Sequence, residues 1–159
     1  MALRLRKWAW VIGLLSLGLP QAQAESASEG FWLLQTSVHT RHFSPAPEHN
    51  DRQRLIGLER NAPSKWLYGA ATFRNSFDQR SYYAYVGKRF DVADSPFYLK
   101  LSGGLLHGYK GEYRDKIPLN RFGTAPAIIP SAGVRFGPFT AEVVLLGLSA
   151  TMANVGVRF

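Results

Sequence analysis

Cysteine is absent from the 159 residues of the chain. Disulfide bonds, thiol catalysis and thiolate metal sites are therefore excluded. Metal-binding patterns are also lacking, because the four histidines, His39, His42, His49 and His107, have no zinc-protease spacing and there is no calcium loop. Internal repeats and a glycine-rich phosphate loop are missing as well. The sequence thus predicts neither a bound metal nor a cofactor.

Long apolar runs are missing beyond the first residues of the chain. Arg4, Arg6 and Lys7 precede an apolar run over residues 8–19, and the small-residue segment Ala22-Gln-Ala24 follows. A transmembrane helix is the alternative interpretation, but the run is shorter than the ~20 apolar residues that a bilayer requires. The order of charged, apolar and small residues predicts a cleaved secretory signal peptide over residues 1–24 and a single domain over residues 25–159.

Acidic residues are fewer than basic ones, and the net charge is +8. Cleavage removes three of the 19 basic residues and none of the 11 acidic ones, which leaves a net charge of +5. A basic surface could bind nucleic acid, but an exported protein meets anionic lipid instead. We therefore expect membrane lipids as partners and no nucleic acid.

The last segment of the chain alternates in polarity. Thr151, Ala153, Val155, Val157 and Phe159 share one face of a strand, and the opposite face is partly polar. A soluble sandwich strand could alternate in this way. The pattern also suits a strand with lipid outside and a lumen inside, and it resembles the C-terminal signal of outer-membrane barrel proteins, which ends in Phe.

Turn residues divide the chain into eight segments that predict strands. These segments indicate an all-β fold, an eight-stranded antiparallel transmembrane β-barrel of the outer membrane, which we expect to be a monomer. The connections over residues 43–51 and 108–124 are long and the alternate ones are short, so the loops are expected to be extracellular and both termini periplasmic. The predicted strands are Phe31–His42, Arg52–Arg60, Lys65–Arg74, Arg80–Phe90, Phe97–His107, Ala125–Arg135, Phe139–Leu146 and Ala150–Phe159.

The inner faces of these strands are polar towards the periplasmic ends and small or apolar above. A barrel of this size holds side chains or one small ligand, not a water channel. Two interpretations remain open, a filled core with charges paired at its floor and a slot for one acyl chain. The predicted floor residues are Gln35, Arg89, Lys100, Glu142 and Arg158, and those above them are Gly87, Tyr85, Gly104, Leu106 and Met152.

Reactive side chains gather at the predicted extracellular end. His39 and His42 end the first strand, Ser76 lies between the third and fourth, and Arg114 with Asp115 lies in the longest loop. A serine beside a histidine is the minimum for acyl transfer, because the imidazole can take the hydroxyl proton. A loop serine or an interfacial histidine is, however, usually a turn or solvated residue.

Four segments resemble the lipid A palmitoyltransferase family, PagP. The likeness covers most of the mature chain, and the last two segments are the most specific. The segments are Val38-His39-Thr-Arg41, Gly69-Ala-Ala-Thr-Phe-Arg-Asn-Ser-Phe77, Tyr113-Arg-Asp-Lys-Ile-Pro-Leu119, and Pro126-Ala-Ile-Ile-Pro130 followed by Val134-Arg-Phe-Gly-Pro-Phe-Thr140.

The resemblance implies an enzyme that moves a palmitoyl chain from a phospholipid donor to a hydroxyacyl chain of lipid A. By position, His39 and Ser76 would be the catalytic pair, with His42 as a rival to His39. Gly87 would lie at the base of the acyl slot. Pro130 would flank a lateral gate, because a residue without an N–H leaves a strand pair unbonded. Arg114 and Asp115 would belong to the substrate-binding loop.

This chain departs from the family pattern at three places. Asn75 replaces an aspartate, so that Asp78 becomes the nearest carboxylate. The segment before the first strand is too short for the N-terminal helix of better-known members, and Leu145-Leu-Gly147 lacks a second gate proline. Two other functions remain open, a lipid A deacylase with the same serine and histidine, and a structural or adhesive barrel without catalysis.

Overall fold

The computed structural model describes residues 29–159 as one closed barrel of eight antiparallel strands. The predicted fold is confirmed. The predicted signal peptide, residues 1–24, lies outside the described residues. The strands are β1 (Phe31–His42), β2 (Ile56–Asn61), β3 (Trp66–Arg74), β4 (Arg80–Asp91), β5 (Phe97–His107), β6 (Thr124–Phe136), β7 (Phe139–Leu146) and β8 (Ala150–Arg158), with a 3₁₀ helix η1 (Gly111–Lys116) between β5 and β6.

Each strand pairs with its neighbours in sequence, and β8 closes the barrel on β1. Trp32 and Phe159 extend this last seam by exchanging two backbone hydrogen bonds of 2.8 and 2.9 Å. The first described residues and Phe159 lie at one end of the barrel, here called the terminal end. The connections 43–55, 75–79, 108–123 and 147–149 lie at the opposite end, here called the loop end.

Alternation of side chains separates the two surfaces of the barrel, as the period of two requires. In β4, for example, Ser81, Tyr83 and Tyr85 are buried while Tyr82 and Val86 are exposed. The outer surface carries large apolar side chains on every strand, among them Leu34, Leu58, Tyr68, Val86, Leu101, Ile128, Val143 and Val155. A belt of exposed apolar side chains on all eight strands suits contact with lipid.

Strand β2 begins at Ile56, four residues later than the sequence predicts. Arg54 adopts a positive φ of 47°, which interrupts an extended strand. Side chains then replace the backbone ladder between β1 and β2: the Thr36 hydroxyl donates to the Leu55 carbonyl at 2.7 Å, and the Leu55 N–H donates to Ser37 Oγ at 2.9 Å. Towards the loop end, these two strands therefore lack direct pairing.

No helix among residues 29–159 is long and apolar enough to cross a membrane.

Candidate active site

A serine, a histidine and an aspartate form a chain of hydrogen bonds at the loop end. The Nε2 atom of His42 lies 2.9 Å from Ser76 Oγ, and its Nδ1 atom lies 2.9 Å from Asp51 Oδ1. With Nδ1 protonated, the imidazole donates to the carboxylate and leaves Nε2 free to accept the serine proton. This is the arrangement of nucleophile, base and orienting carboxylate that activates a serine.

A bulge in β1 decides which histidine reaches Ser76. The pairing of β1 with β8 shifts between Ser37 and His39, so that Thr40 and His42 point inward. His39 is exposed on the outer surface. The expected pairing of His39 with Ser76 is therefore wrong, and His42 is the partner of Ser76. Regular alternation could not reveal this, because one extra residue reverses the face of every later side chain.

The carboxylate comes from the first loop and was missed in the sequence. Asn50, the residue before Asp51, ties that loop to the loop of Ser76: its N–H donates to the Ser76 carbonyl at 2.7 Å, and its side-chain amide donates to the Asn75 carbonyl at 3.2 Å. Asp51 is thereby brought back beside His42, with its side chain 62% exposed. The available signal was an Asn-Asp pair at the end of the loop that follows His42.

Asn75 has a structural role in the loop of Ser76. Its side chain is fully buried; Oδ1 accepts from the N–H groups of Phe77 and Gln79, and Nδ2 donates to Ser81 Oγ. Such an Asx turn fixes the backbone on both sides of the serine. Asn75 makes no hydrogen bond with His42.

Asp78 does not take the place of the missing aspartate. Its side chain is 73% exposed and lies 3.9 Å from Arg74, whereas the carboxylate on His42 is that of Asp51. The expectation that Asp78 is the substitute carboxylate is wrong.

Aromatic side chains cover the site. The ring of His49 stacks on His42 at 4.4 Å, and Phe77 contacts His49 edge-on and stacks on Tyr113 at 4.0 Å. Tyr109 packs beside Ser76, and burial raises the pKa of its phenol while hydrogen bonds to Ser76 oppose that shift. The phenol thus remains a hydrogen-bond donor near the serine at neutral pH. Sequence reasoning identified neither His49 nor Tyr109 as site residues.

A cavity of about 790 Å³ extends from this site into the barrel. His42 and Ser76 line its mouth, and Leu55, Ala71 and Met152 line its middle. The volume lies within the ~300–1,000 Å³ of pockets that bind small molecules. The interior is therefore an open slot above a charged floor, and the alternative of a core filled by side chains is wrong.

The floor is a buried group of charged and polar side chains. Lys100 Nζ lies 3.0 Å from Glu59 and 2.8 Å from Glu142, and the hydroxyl of Tyr85 donates to Glu59 at 2.9 Å. Because every charge has a partner, this layer closes the barrel without an unpaired buried ion. Of the predicted floor residues, Gln35, Lys100 and Glu142 line the base of the cavity, and Arg89 and Arg158 lie below it.

Gly87 faces the interior but does not line the cavity. A Cβ at this position would meet the Leu101 carbonyl, Ser102 Cα at 2.9 Å and Leu67 Cδ1 at 3.0 Å. Leu67 is itself almost fully buried and covers the glycine. The expectation that Gly87 bounds the slot is therefore wrong in position, and Tyr85 with the charged floor bounds it instead.

The wall of the barrel lacks strand pairing beside the cavity, between β6 and β7. Pairing of β6 with β7 begins only at Ser131 and Val144, directly after Pro130, although β6 pairs with β5 from Thr124 to Val134. Pro126 and Pro130 have no N–H to donate. Pro126 and Ile128 line the cavity at this gap. Pro130 thus lies where the pairing of β6 with β7 stops, and its place beside a lateral gate remains a prediction.

Arg114 and Asp115 lie in η1. Their side chains are 58% and 93% exposed and lie 3.9 Å from each other. Neither residue lines the cavity. Lys116, the next residue, does line it, and its ammonium lies over the ring of Phe77. Among residues 29–159 no group of three or more His, Asp or Glu side chains is placed to hold a metal ion.

Comparison with known proteins gives little beyond this geometry. No family model matches the chain, and no curated protein matches it. Among solved structures, the chain is similar to the outer membrane protein Ail of Yersinia pestis, determined in a phospholipid bilayer nanodisc. The identity is 16% and the TM-score is 0.46, over 82% of this chain and 100% of that one. The resemblance to lipid A palmitoyltransferases remains a prediction.

Proposed function

We propose that the protein is an outer-membrane acyltransferase that moves a palmitoyl chain from a phospholipid to a hydroxyl group of lipid A. The observation that carries this proposal is the hydrogen-bonded chain of Ser76, His42 and Asp51 at the mouth of a deep cavity. The apolar belt supports a location in the membrane. The loop end then faces outward, because long loops are extracellular in such barrels.

The chemistry requires two acyl transfers at one serine. Ser76 Oγ attacks the ester carbonyl of the donor while His42 takes its proton, and His42 then protonates the leaving alcohol of the lysophospholipid. In the second transfer His42 takes the proton of the acceptor hydroxyl, whose oxygen attacks the acyl carbon. As the ester bond to Ser76 breaks, His42 gives that proton to Ser76 Oγ and restores the free serine. Asp51 stabilises the imidazolium that forms in each transfer.

The cavity gives the acyl chain a place during these steps. Its apolar middle removes the methylenes from water or lipid, and the charged floor limits how far the chain can enter. The gap between β6 and β7 lets a chain pass from the membrane without crossing the aqueous loops. Water can reach the partly exposed Asp51, so a lipid A deacylase that uses the same residues is the competing enzyme.

Incubation of the purified protein in detergent with lipid A and a phospholipid that carries a labelled palmitoyl chain tests the proposal. We expect label on lipid A, and a loss of at least ~10²-fold in Ser76→Ala, because removal of a nucleophile or its base typically costs that much. The folded state of the variant is checked by heat-modifiable migration. Fatty acid released from lipid A would indicate the deacylase, and no reaction at all would favour a structural or adhesive barrel.

A further inference from the structure

Three arginines stand side by side on the outer surface at the loop end. Arg74 and Arg80 are direct partners in the pairing of β3 with β4. The Arg74 N–H donates to the Gln53 carbonyl at 2.7 Å, which places Arg54 on the adjoining segment at the same height. Neighbouring strands lie ~4.8 Å apart, so the three side chains form one row across three chain segments.

The row faces away from the barrel interior. Phe73 lines the cavity, so its neighbour Arg74 on β3 points outward. Arg54 precedes β2 and is exposed, whereas Gln53 and Leu55 on either side of it are buried. Arg80 is exposed and its neighbour Ser81 is buried. A Thr72 hydroxyl, also on the outer face, accepts from Arg80 at 3.4 Å. The row is consequently open to the surroundings of the barrel.

Little negative charge balances these arginines. Within residues 29–159, the ion pair that involves the row is that of Arg74 with Asp78 at 3.9 Å, and the shorter contact of Arg74 is to the Asp78 carbonyl. Like charges directly opposite on paired strands are destabilising. A bound anion would remove that cost, and the guanidinium fork matches phosphate in particular.

The row lies at the edge of the apolar belt. One layer further into the belt, Thr72 pairs with Ile56 on β2 and with Tyr82 on β4. Ile56 and Tyr82 are large, exposed side chains, and tyrosine is typical of the boundary between lipid and water. An anion held here is therefore the headgroup phosphate of a membrane lipid.

We infer that Arg54, Arg74 and Arg80 bind a phosphate of lipid A in the outer leaflet. This inference rests on the proposed function only for the orientation of the barrel in the membrane, and it does not depend on acyl transfer at Ser76. A phosphate monoester, as in lipid A, carries a charge of about −1.5 to −2 near neutral pH, compared with a single charge on a phospholipid diester. Three adjacent arginines favour the more highly charged group.

Lipid A binding to Ser76→Ala protein in detergent, followed by native mass spectrometry, tests the site without turnover. The test variant adds Arg54→Gln, Arg74→Gln and Arg80→Gln. The control adds Arg60→Gln, Lys65→Gln and Lys88→Gln, which remove the same charge near the terminal end. We expect at least ~10-fold weaker binding in the test variant, because each lost arginine removes charge-assisted hydrogen bonds, and less than ~3-fold in the control. Heat-modifiable migration confirms folding of both.

The lipid series identifies the ligand. Dephosphorylated lipid A should bind weakly and equally to all variants. The affinity for phosphatidylglycerol should fall much less in the test variant than the affinity for lipid A. Equal lipid A binding by the test variant and its parent, or equal losses for lipid A and phosphatidylglycerol, would overturn the inference. Inorganic phosphate that binds the row as tightly as lipid A does would assign the row to free phosphate and overturn it too. Failure of acyl transfer would leave these binding results unaffected.

Discussion

At the scale of single residues, the site depends on which way each side chain faces. His39 and His42 are three residues apart and therefore face opposite sides of β1, and the bulge after Ser37 turns His42 inward to Ser76 and His39 outward. Asn50 is equally decisive, since its two hydrogen bonds join the loops that carry Asp51 and Ser76. The nucleophile, the base and the carboxylate thus come from three separate segments.

The role of Asp51 leads to a prediction at this scale. Asp51→Asn should lower transfer on the order of 10²-fold, because an amide cannot hold the imidazole in the tautomer that accepts the serine proton. Asp78→Asn is the matched control and should stay within about two-fold of the parent, since Asp78 does not contact His42. Palmitoylation of lipid A at equal amounts of folded protein is the measurement. Equal losses in both variants would contradict the assignment of Asp51.

At the scale of strands, incomplete pairing shapes the slot. β6 is paired with β5 from Thr124 to Val134 but with β7 only from Ser131 towards the terminal end. β1 and β2 are likewise joined at their loop-end halves by side chains of Thr36 and Ser37. Two seams of the barrel are therefore weak at the same height, next to the cavity mouth, while the terminal end is fully paired and charged inside.

The residues that line the slot on these strands lead to a prediction about the length of the transferred acyl chain. Ala71 on β3 lines the middle of the cavity, beside Gly57 on β2 and opposite Tyr83 on β4. Ala71→Met should shift transfer towards acyl chains shorter by a few carbons, because each methylene that no longer fits loses ~0.8 kcal/mol of burial. Ala84→Met, on the lipid face of β4, is the control. Mass spectra of the modified lipid A give the chain length.

An unchanged chain length in Ala71→Met, with the protein folded, would contradict this picture of the slot. Gly87→Met is expected to behave differently from both Ala71→Met and Ala84→Met. Its added side chain would meet the Leu101 carbonyl and Leu67, so folded yield should fall before chain preference changes.

At the scale of the whole molecule, sequence patterns predicted the barrel well and the site only in part. Alternation and turn residues indicated all eight strands, because polarity with a period of two reports directly which side faces lipid. The start of β2 was wrong since a positive φ at Arg54 leaves no trace in the polarity of its neighbours. Ser76 was identified, but the choice of His42 and the carboxylate of Asp51 depend on a bulge and on contacts between loops, which a linear pattern does not contain.

The charged floor was likewise predicted only in part from the sequence. Inward positions for Lys100 and Glu142 followed from alternation, while Glu59 and the hydroxyls of Tyr85 and Tyr98 that complete the network were not expected there. Side chains that pair across the inside of a barrel come from strands far apart in sequence, and they meet only once the barrel has closed.

Lipid A palmitoylation by His42→Ala and His39→Ala, at matched amounts of folded protein, tests the central claim most directly. His42 lies 2.9 Å from the hydroxyl of Ser76, and His39 is exposed on the opposite face of the strand. We expect His42→Ala to lose at least ~10²-fold in transfer, as removal of a general base does, and His39→Ala to keep most of the parent activity. Full transfer by His42→Ala, or a loss confined to His39→Ala, would contradict the account.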